Sequence, residues 1–262
     1  MTVSPWRPDP DEAALAAALG PGGAWVRVDG AWLAVRGIAG PGHRPSLALA
    51  QAIWEHLPGR AHAALRSRLR VVGEPDGFDR AVAAVVGKRV VGVAPGAGAA
   101  PPWVDLGAAW QRAQWRVAAA ARPGEGRVPD AVAAWLRAQI PAAAPGRWVD
   151  RDRPVVAVLA DAEGRVLRSA VNVGGANRTL HAELCLVQAH GALPAGATVY
   201  TSLQPCRLCA AALVDAATGA LAVRYLVPDP GRLATRTALQ DRGWEQPVAA
   251  DLAGARLDVD GG

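Results

Sequence analysis

Two short segments carry residue types that could do chemistry, at spacings that would let them act together: His181-Ala182-Glu183 and Pro205-Cys206-Arg207-Leu208-Cys209. Each opens a stretch of helical pattern, His181–His190 and Cys206–Ala217. A helix start presents unpaired N–H groups and the positive end of the dipole, which favours thiolate over thiol. In a C-x-x-C placed there, one turn brings both sulfurs to the same side. One His and two Cys make three protein ligands and leave one tetrahedral corner for water. That is a catalytic count, because structural zinc sites close all four positions. Zinc lowers the pKa of such a water from about 15.7 towards about 7 and supplies hydroxide at neutral pH. Glu183 lies two residues from the ligand, near the metal but on another part of the helix. There a carboxylate can take a proton from water and hand it to a substrate.

A redox role for Cys206 and Cys209 is the competing reading, and it leaves His181 and Glu183 unexplained. Cys185, four residues after His181 and on a similar helical face, reads as a packed core thiol. Three cysteines, two of them in the C-x-x-C, do not make a disulfide framework, so no disulfide partner is expected. Arg178 and Arg207 flank the motifs and suit either phosphate contact or solvated surface.

The elements that must position these residues are legible in the second half. The pattern gives a helix over 129–140, strands over 155–159 and 166–173 around a turn at 161–164, the His181 helix, and a strand over 198–202. The Cys206 helix, a strand over 222–227, a helix over 232–242 and a last strand over 256–259 follow. The order α-β-β-α-β-α-β-α-β predicts a central sheet with helices on both faces. In the first half, a helix over 11–19 precedes a hairpin of 24–28 and 32–38 around Asp29-Gly30, a good tight-turn pair. Helices over 47–57, 61–69 and 105–121 and strands over 70–72 and 89–93 complete a small α+β unit. His43, His56 and His62 have no ligand spacing to one another. Arg122-Pro123-Gly124-Glu125-Gly126 reads as a linker. The expected organisation is an accessory α+β domain over 1–122, a linker over 123–127 and an α/β/α domain over 128–262.

The chain has 262 residues, 51% of them hydrophobic, which is ample for packed cores and argues against disorder. Lys88 is its one lysine, and 10 Trp stand beside 1 Met, 1 Phe and 2 Tyr. The Ala and Arg excess fits GC-rich codon usage. No apolar run approaches the ~18 residues of a membrane span. The first residues lack the apolar segment of a secretory leader, so a soluble cytoplasmic protein is expected, with delivery to another cell left open. Residues 1–127 hold 15 basic and 10 acidic side chains, and residues 128–262 hold 13 of each, so the net charge of +5 arises in the first half. That imbalance permits nucleic-acid binding.

H-x-E followed by P-C-x-x-C is the signature of zinc nucleobase deaminases, and the second half resembles the cytidine deaminase-like superfamily. Val199-Tyr200-Thr201-Ser202-Leu203-Gln204-Pro205-Cys206 is similar to the strand-into-helix segment of its tRNA-editing and purine-deaminating branches. The resemblance implies a three-layer α/β/α fold, Zn2+ held by His181, Cys206 and Cys209, and Glu183 as the proton shuttle. It implies substrate contacts at Asn172 (with Asn177 the alternative), Ala182, Gln204 through its carbonyl, and Asp229 in a loop that relatives use to choose substrate. The helix after Asp229-Pro230 resembles the nucleic-acid-editing branch. A separate domain before the catalytic one resembles bacterial effector-type deaminases, an analogy of architecture alone. The implied reaction is hydrolytic conversion of cytosine to uracil in nucleic acid, single-stranded DNA first. A metabolic deaminase of a free nucleoside, nucleotide or purine base, and a deaminase-fold protein that binds without catalysis, stand as alternatives.

Overall fold

The computed structural model describes residues 9–86, 89–139, 155–173 and 177–248. Contacts divide the chain into two compact units, Met1–Arg112 and Ala113–Gly262.

The first unit runs α1 (Pro10–Leu19), β1 (Ala24–Val28), β2 (Ala31–Val35), α2 (Pro45–His56), α3 (Ala61–Leu65), β3 (Leu69–Val72), α4 (Gly77–Val86), β4 (Val90–Val93) and β5 (Trp103–Asp105). Its sheet has the order β4-β3-β1-β2-β5. Asp29 and Gly30 turn the β1–β2 hairpin with φ of 49° and 84°, the positive values that a two-residue type I′ turn requires. Leu15, Leu19, Trp25, Trp32 and Val93 pack together on this sheet. Glu12 and Arg70 form a buried ion pair there.

Two elements of this unit are absent from the sequence pattern. Helix α4 begins in Pro75-Asp76-Gly77, which reads as a turn. Its start is fixed instead by reciprocal side-chain caps: the Asp79 N–H donates to Asp76 Oδ1 at 3.0 Å, and the Asp76 N–H donates to Asp79 Oδ2 at 3.2 Å. Ser46 Oγ adds a hydrogen bond to Asp79 Oδ1 at 2.5 Å. Strand β5 has only three residues and gains its identity from parallel pairing with β2.

Helix α5 (Gly107–Ala120) crosses the division between the units, which falls inside it rather than at the Arg122–Gly126 stretch. The reason is packing and pairing. Val117 and Ala120 bury into the second unit's core, and β6 (Ala121–Pro123) pairs antiparallel with residues 168–170. The next elements are α6 (Val132–Gln139), β7 (Val156–Ala160), β8 (Val166–Val171), α7 (Ala182–His190) and β9 (Thr198–Leu203). Helix α8 (Arg207–Ala216), β10 (Ala222–Val227), α9 (Ala238–Asp241) and β11 (Glu245–Pro247) follow. The sheet order is β11-β10-β9-β7-β8-β6.

Side chains of β7 alternate between two cores, as the period of a strand dictates. Ala157 and Leu159 pack with Leu186 of α7 and Leu213 of α8; Val156 and Val158 pack with Ala133 and Leu136 of α6. The unit is therefore a three-layer α/β/α sandwich. Helical crossovers make β9, β10 and β11 parallel.

The helix expected over 232–242 is interrupted. Arg232–Ala234 forms a 3-10 turn, Arg236 takes φ 53°, and Thr237 starts α9 with a capping box to Gln240. Strand β11 was not expected, and the strand expected over 256–259 lies outside the described residues. Among the described residues no helix is long and apolar enough to cross a membrane.

Candidate active site

His181 and Cys206 are both helix N-caps with extended backbone, so each projects its side chain from the mouth of a helix rather than from its wall. Cys209 sits one turn into α8. The three ligand atoms converge: His181 Nδ1 lies 3.3 Å from Cys209 Sγ and 3.6 Å from Cys206 Sγ, and the two sulfurs are 3.6 Å apart. Zinc with bonds of about 2.3 Å to sulfur and 2.0–2.1 Å to nitrogen spans a tetrahedron with edges of about 3.5–3.8 Å. The spacing and the soft donor set fit that ion. Cys206 and Cys209 are buried and His181 is half-buried.

The ionisable groups of the cluster shift one another's protonation. Burial opposes charge on the His181 ring, but the neighbouring Cys206 thiolate overcomes it and raises the pKa to about 9. Cys206 is held well below the ordinary thiol value, first by a hydrogen bond from Cys209 and also by the His181 cation. Burial pushes Cys209 well up, with the Cys206 charge adding to it. Burial also raises the Glu183 carboxyl; His181 pulls it down and Cys206 pushes it up again.

Glu183 is 3% exposed, which makes it a carboxyl that the fold keeps from solvent beside the ligand cluster. Its Oε2 lies 3.3 Å from Cys209 Sγ and its Oε1 lies 3.4 Å from Thr201 Oγ1. Thr201 is a site residue that the sequence reading missed. It is wholly buried on β9 and donates to the Leu203 carbonyl at 2.9 Å, so its oxygen is locked facing Glu183. A buried Thr in a strand gives no local sign of such a role. Its signal was its position, five residues before Cys206.

The other candidate residues fall into three places. Asn172 follows β8 and accepts at Oδ1 from the N–H of Val155, the residue before β7, at 2.9 Å. Asn177 is fully buried, and its Oδ1 accepts from Thr179 Oγ1 at 2.5 Å, closing the turn that leads into His181. Ala182, the first residue of α7, is buried. The Gln204 side chain reaches across to the 228–235 segment, accepting from the Asp229 N–H at 3.2 Å and facing the Ala234 carbonyl at 3.4 Å. Arg207 donates from Nε to the Thr235 carbonyl at 2.9 Å. The residues on either side of Pro205-Cys206 thus tether the segment that carries Asp229. Cys185 is buried in the α7 core, and burial pushes its thiol up, which leaves it inert.

Residues 146–250 match the family model of Bd3614-like deaminases. Over this stretch, in the second half of the chain, the sequence is similar to that deaminase family. Among solved structures, the chain is similar to one from a study of A-to-I editing by tRNA:A34 deaminases at the wobble position of transfer RNA. Identity there is 29% and the TM-score 0.27, over 33% of this chain and 69% of the other. It is also similar to Acinetobacter baumannii RibD, with 26% identity and a TM-score of 0.34, over 43% of this chain and 33% of that one. Among curated proteins none matches the chain. Within the matched residues, His181, Cys206 and Cys209 form a cluster able to hold a metal ion.

Proposed function

We propose that the deaminase domain is a zinc-dependent hydrolase that converts cytosine to uracil in nucleic acid, with single-stranded DNA as the preferred substrate. The observation that carries the catalytic reading is the buried Glu183 carboxyl beside a three-ligand cluster. A binding module has no use for a desolvated carboxyl there. His181, Cys206 and Cys209 would hold the zinc, which when bound would supply an acidified water as nucleophile at neutral pH. Glu183 takes the proton that water loses and passes it to the ring nitrogen of the base. It then takes the second proton, from the hydroxyl now on the base carbon, and delivers it to the amine as the C–N bond breaks, the carbonyl forms and ammonia leaves. Burial favours the protonated acid that this second transfer needs. With its proton given to the Leu203 carbonyl, Thr201 Oγ1 can accept from one carboxyl oxygen of Glu183 when the acid is protonated, while the other faces the cluster.

The polynucleotide reading rests on the sequence after Asp229-Pro230, which resembles that of the nucleic-acid-editing branch although its helix is interrupted, and on the basic excess of the first half. Under this reading Asn172, Ala182, Gln204 and Asp229 line the base pocket, and the first unit is an accessory domain of a cytoplasmic enzyme. Unpaired bases react faster than paired ones, because flipping a base from a duplex costs a few kcal/mol. The test is ammonia release from the zinc-loaded chain across free bases, nucleosides, single strands and duplexes. Turnover of cytosine-containing single strands is expected, and Glu183→Ala abolishes it while keeping the metal. Efficient turnover of free cytidine, deoxycytidine or guanine, with no reaction on mixed-sequence oligonucleotides, would overturn the substrate assignment.

A further inference from the structure

The last two turns of α5, within the second unit, bury Ala113, Val117 and Ala120 and expose the opposite face. A polar residue is expected on that face, but Trp115 stands there. Among the described residues three large apolar side chains are exposed, and Trp115, at 70%, is the most exposed of them. An indole left in water forgoes the burial that makes Trp a core residue. Its surroundings leave the ring open: Ala118 and Ala119, three and four residues on, are also exposed and too small to cover it. Arg116 is adjacent and Arg122 follows on β6, both exposed, and residues 113–124 contain no acid.

Sheet register places this face relative to the site. Ala121 pairs with Ala170, Ala170 with Ala157, and Ala157 with Thr201, the residue that faces Glu183. Three strand spacings put Ala121 about 14 Å from Thr201, and six helical residues put Trp115 about 9 Å further along the chain. That span falls within the footprint of roughly 4–16 nucleotides over which single strands are gripped.

We propose that Trp115, with Arg116 and Arg122, is a stacking platform for single-stranded nucleic acid outside the base pocket. A flat, uncovered indole accepts any base face, and the two guanidinium groups match the phosphates on either side. The proposal rests on the polynucleotide reading above and deepens it by naming where the strand runs.

The test measures binding of labelled oligo(dT) to the full zinc-loaded chain. Thymine has no exocyclic amine, so binding is read apart from turnover. Trp115→Ala is expected to weaken oligo(dT) binding roughly 5- to 100-fold, and Trp115→Phe to restore most of it. Arg116→Gln and Arg122→Gln should each lower the slope of log K against log salt by about 0.7. Unchanged affinity in Trp115→Ala, with its melting curve intact, would overturn the proposal. So would a Trp115→Phe variant no better than the Ala variant. A third contrary result is wild-type dimerisation that Trp115→Ala abolishes, with no oligo(dT) bound, since the face then serves a second copy. Oligo(dT) binding without deamination of any strand removes the catalytic reading alone. Deamination of strands without oligo(dT) binding removes the platform alone.

Discussion

Cys206 and Cys209 differ from Cys185 by what surrounds their sulfurs, and substitution should separate them. Cys206→Ala or Cys209→Ala is expected to lose the metal, measured by elemental analysis. Cys185→Ser should keep one zinc per chain and most activity, at a stability cost of about 1–3 kcal/mol for burying a hydroxyl. Metal loss in Cys185→Ser equal to that in Cys206→Ala would make the site a closed, structural one. The metal-free cluster also has a pH signature. His181 holds its proton up to about 9 against an ordinary 6.5. The stability that this cation contributes is therefore present in full below 6.5 and lost as pH rises through about 9. Zinc binding runs the other way, because the ligand must be neutral. Apparent zinc affinity should climb from pH 6 to 9, with protons released on binding, read by calorimetry in buffers of different ionisation enthalpy. Flat affinity over that range would contradict this account of the cluster.

At the scale of elements, caps and tethers decide what periodicity leaves open. Asp76→Ala removes a donor's partner at the start of α4 and should cost about 1 kcal/mol, read as a lower denaturant midpoint for the first unit. Gln204→Ala should leave zinc content unchanged while loosening the 228–235 segment that Gln204 ties down. If that segment meets substrate, KM rises several-fold with little change in kcat. A fall in kcat at constant KM would assign Gln204 to the reacting atoms instead. The break between Arg232 and Thr237 follows the same logic. Five residues of helical pattern gave way to a capped turn because Thr237 and Gln240 satisfy each other's backbone groups.

At the scale of the molecule, the placement of α5 sets where the chain can be cut. A chain beginning at Ala113 keeps Val117, Ala120 and β6 with the core they complete. One beginning at residue 128 loses them and bares the edge of β8, an open template for aggregation. The longer piece should melt higher and stay soluble, compared side by side by light scattering and thermal unfolding. Equal behaviour of the two would show that the α5 contacts contribute nothing to the second unit. If the basic first unit holds phosphate, removing residues 1–112 should also flatten the salt dependence of activity on oligonucleotides.

From the sequence alone came the candidate cluster residues and most of the element order of the second unit. His181, Glu183, Cys206 and Cys209 are local words, each set at the start of a helix whose existence follows from short-range pattern. Strand–helix alternation then implied a layered sheet. The tertiary structure decided what depends on residues distant in the chain. Thr201 gains its meaning from Glu183, eighteen positions earlier, and Gln204 from a loop some thirty positions later. Strands β5, β6 and β11 are three residues each, too short for any periodicity, and exist because a neighbouring strand offers an edge. The unit boundary fell inside α5 rather than at a Pro/Gly stretch. Burial of Val117 and Ala120 is a property of the core they enter, and composition along the chain cannot register it.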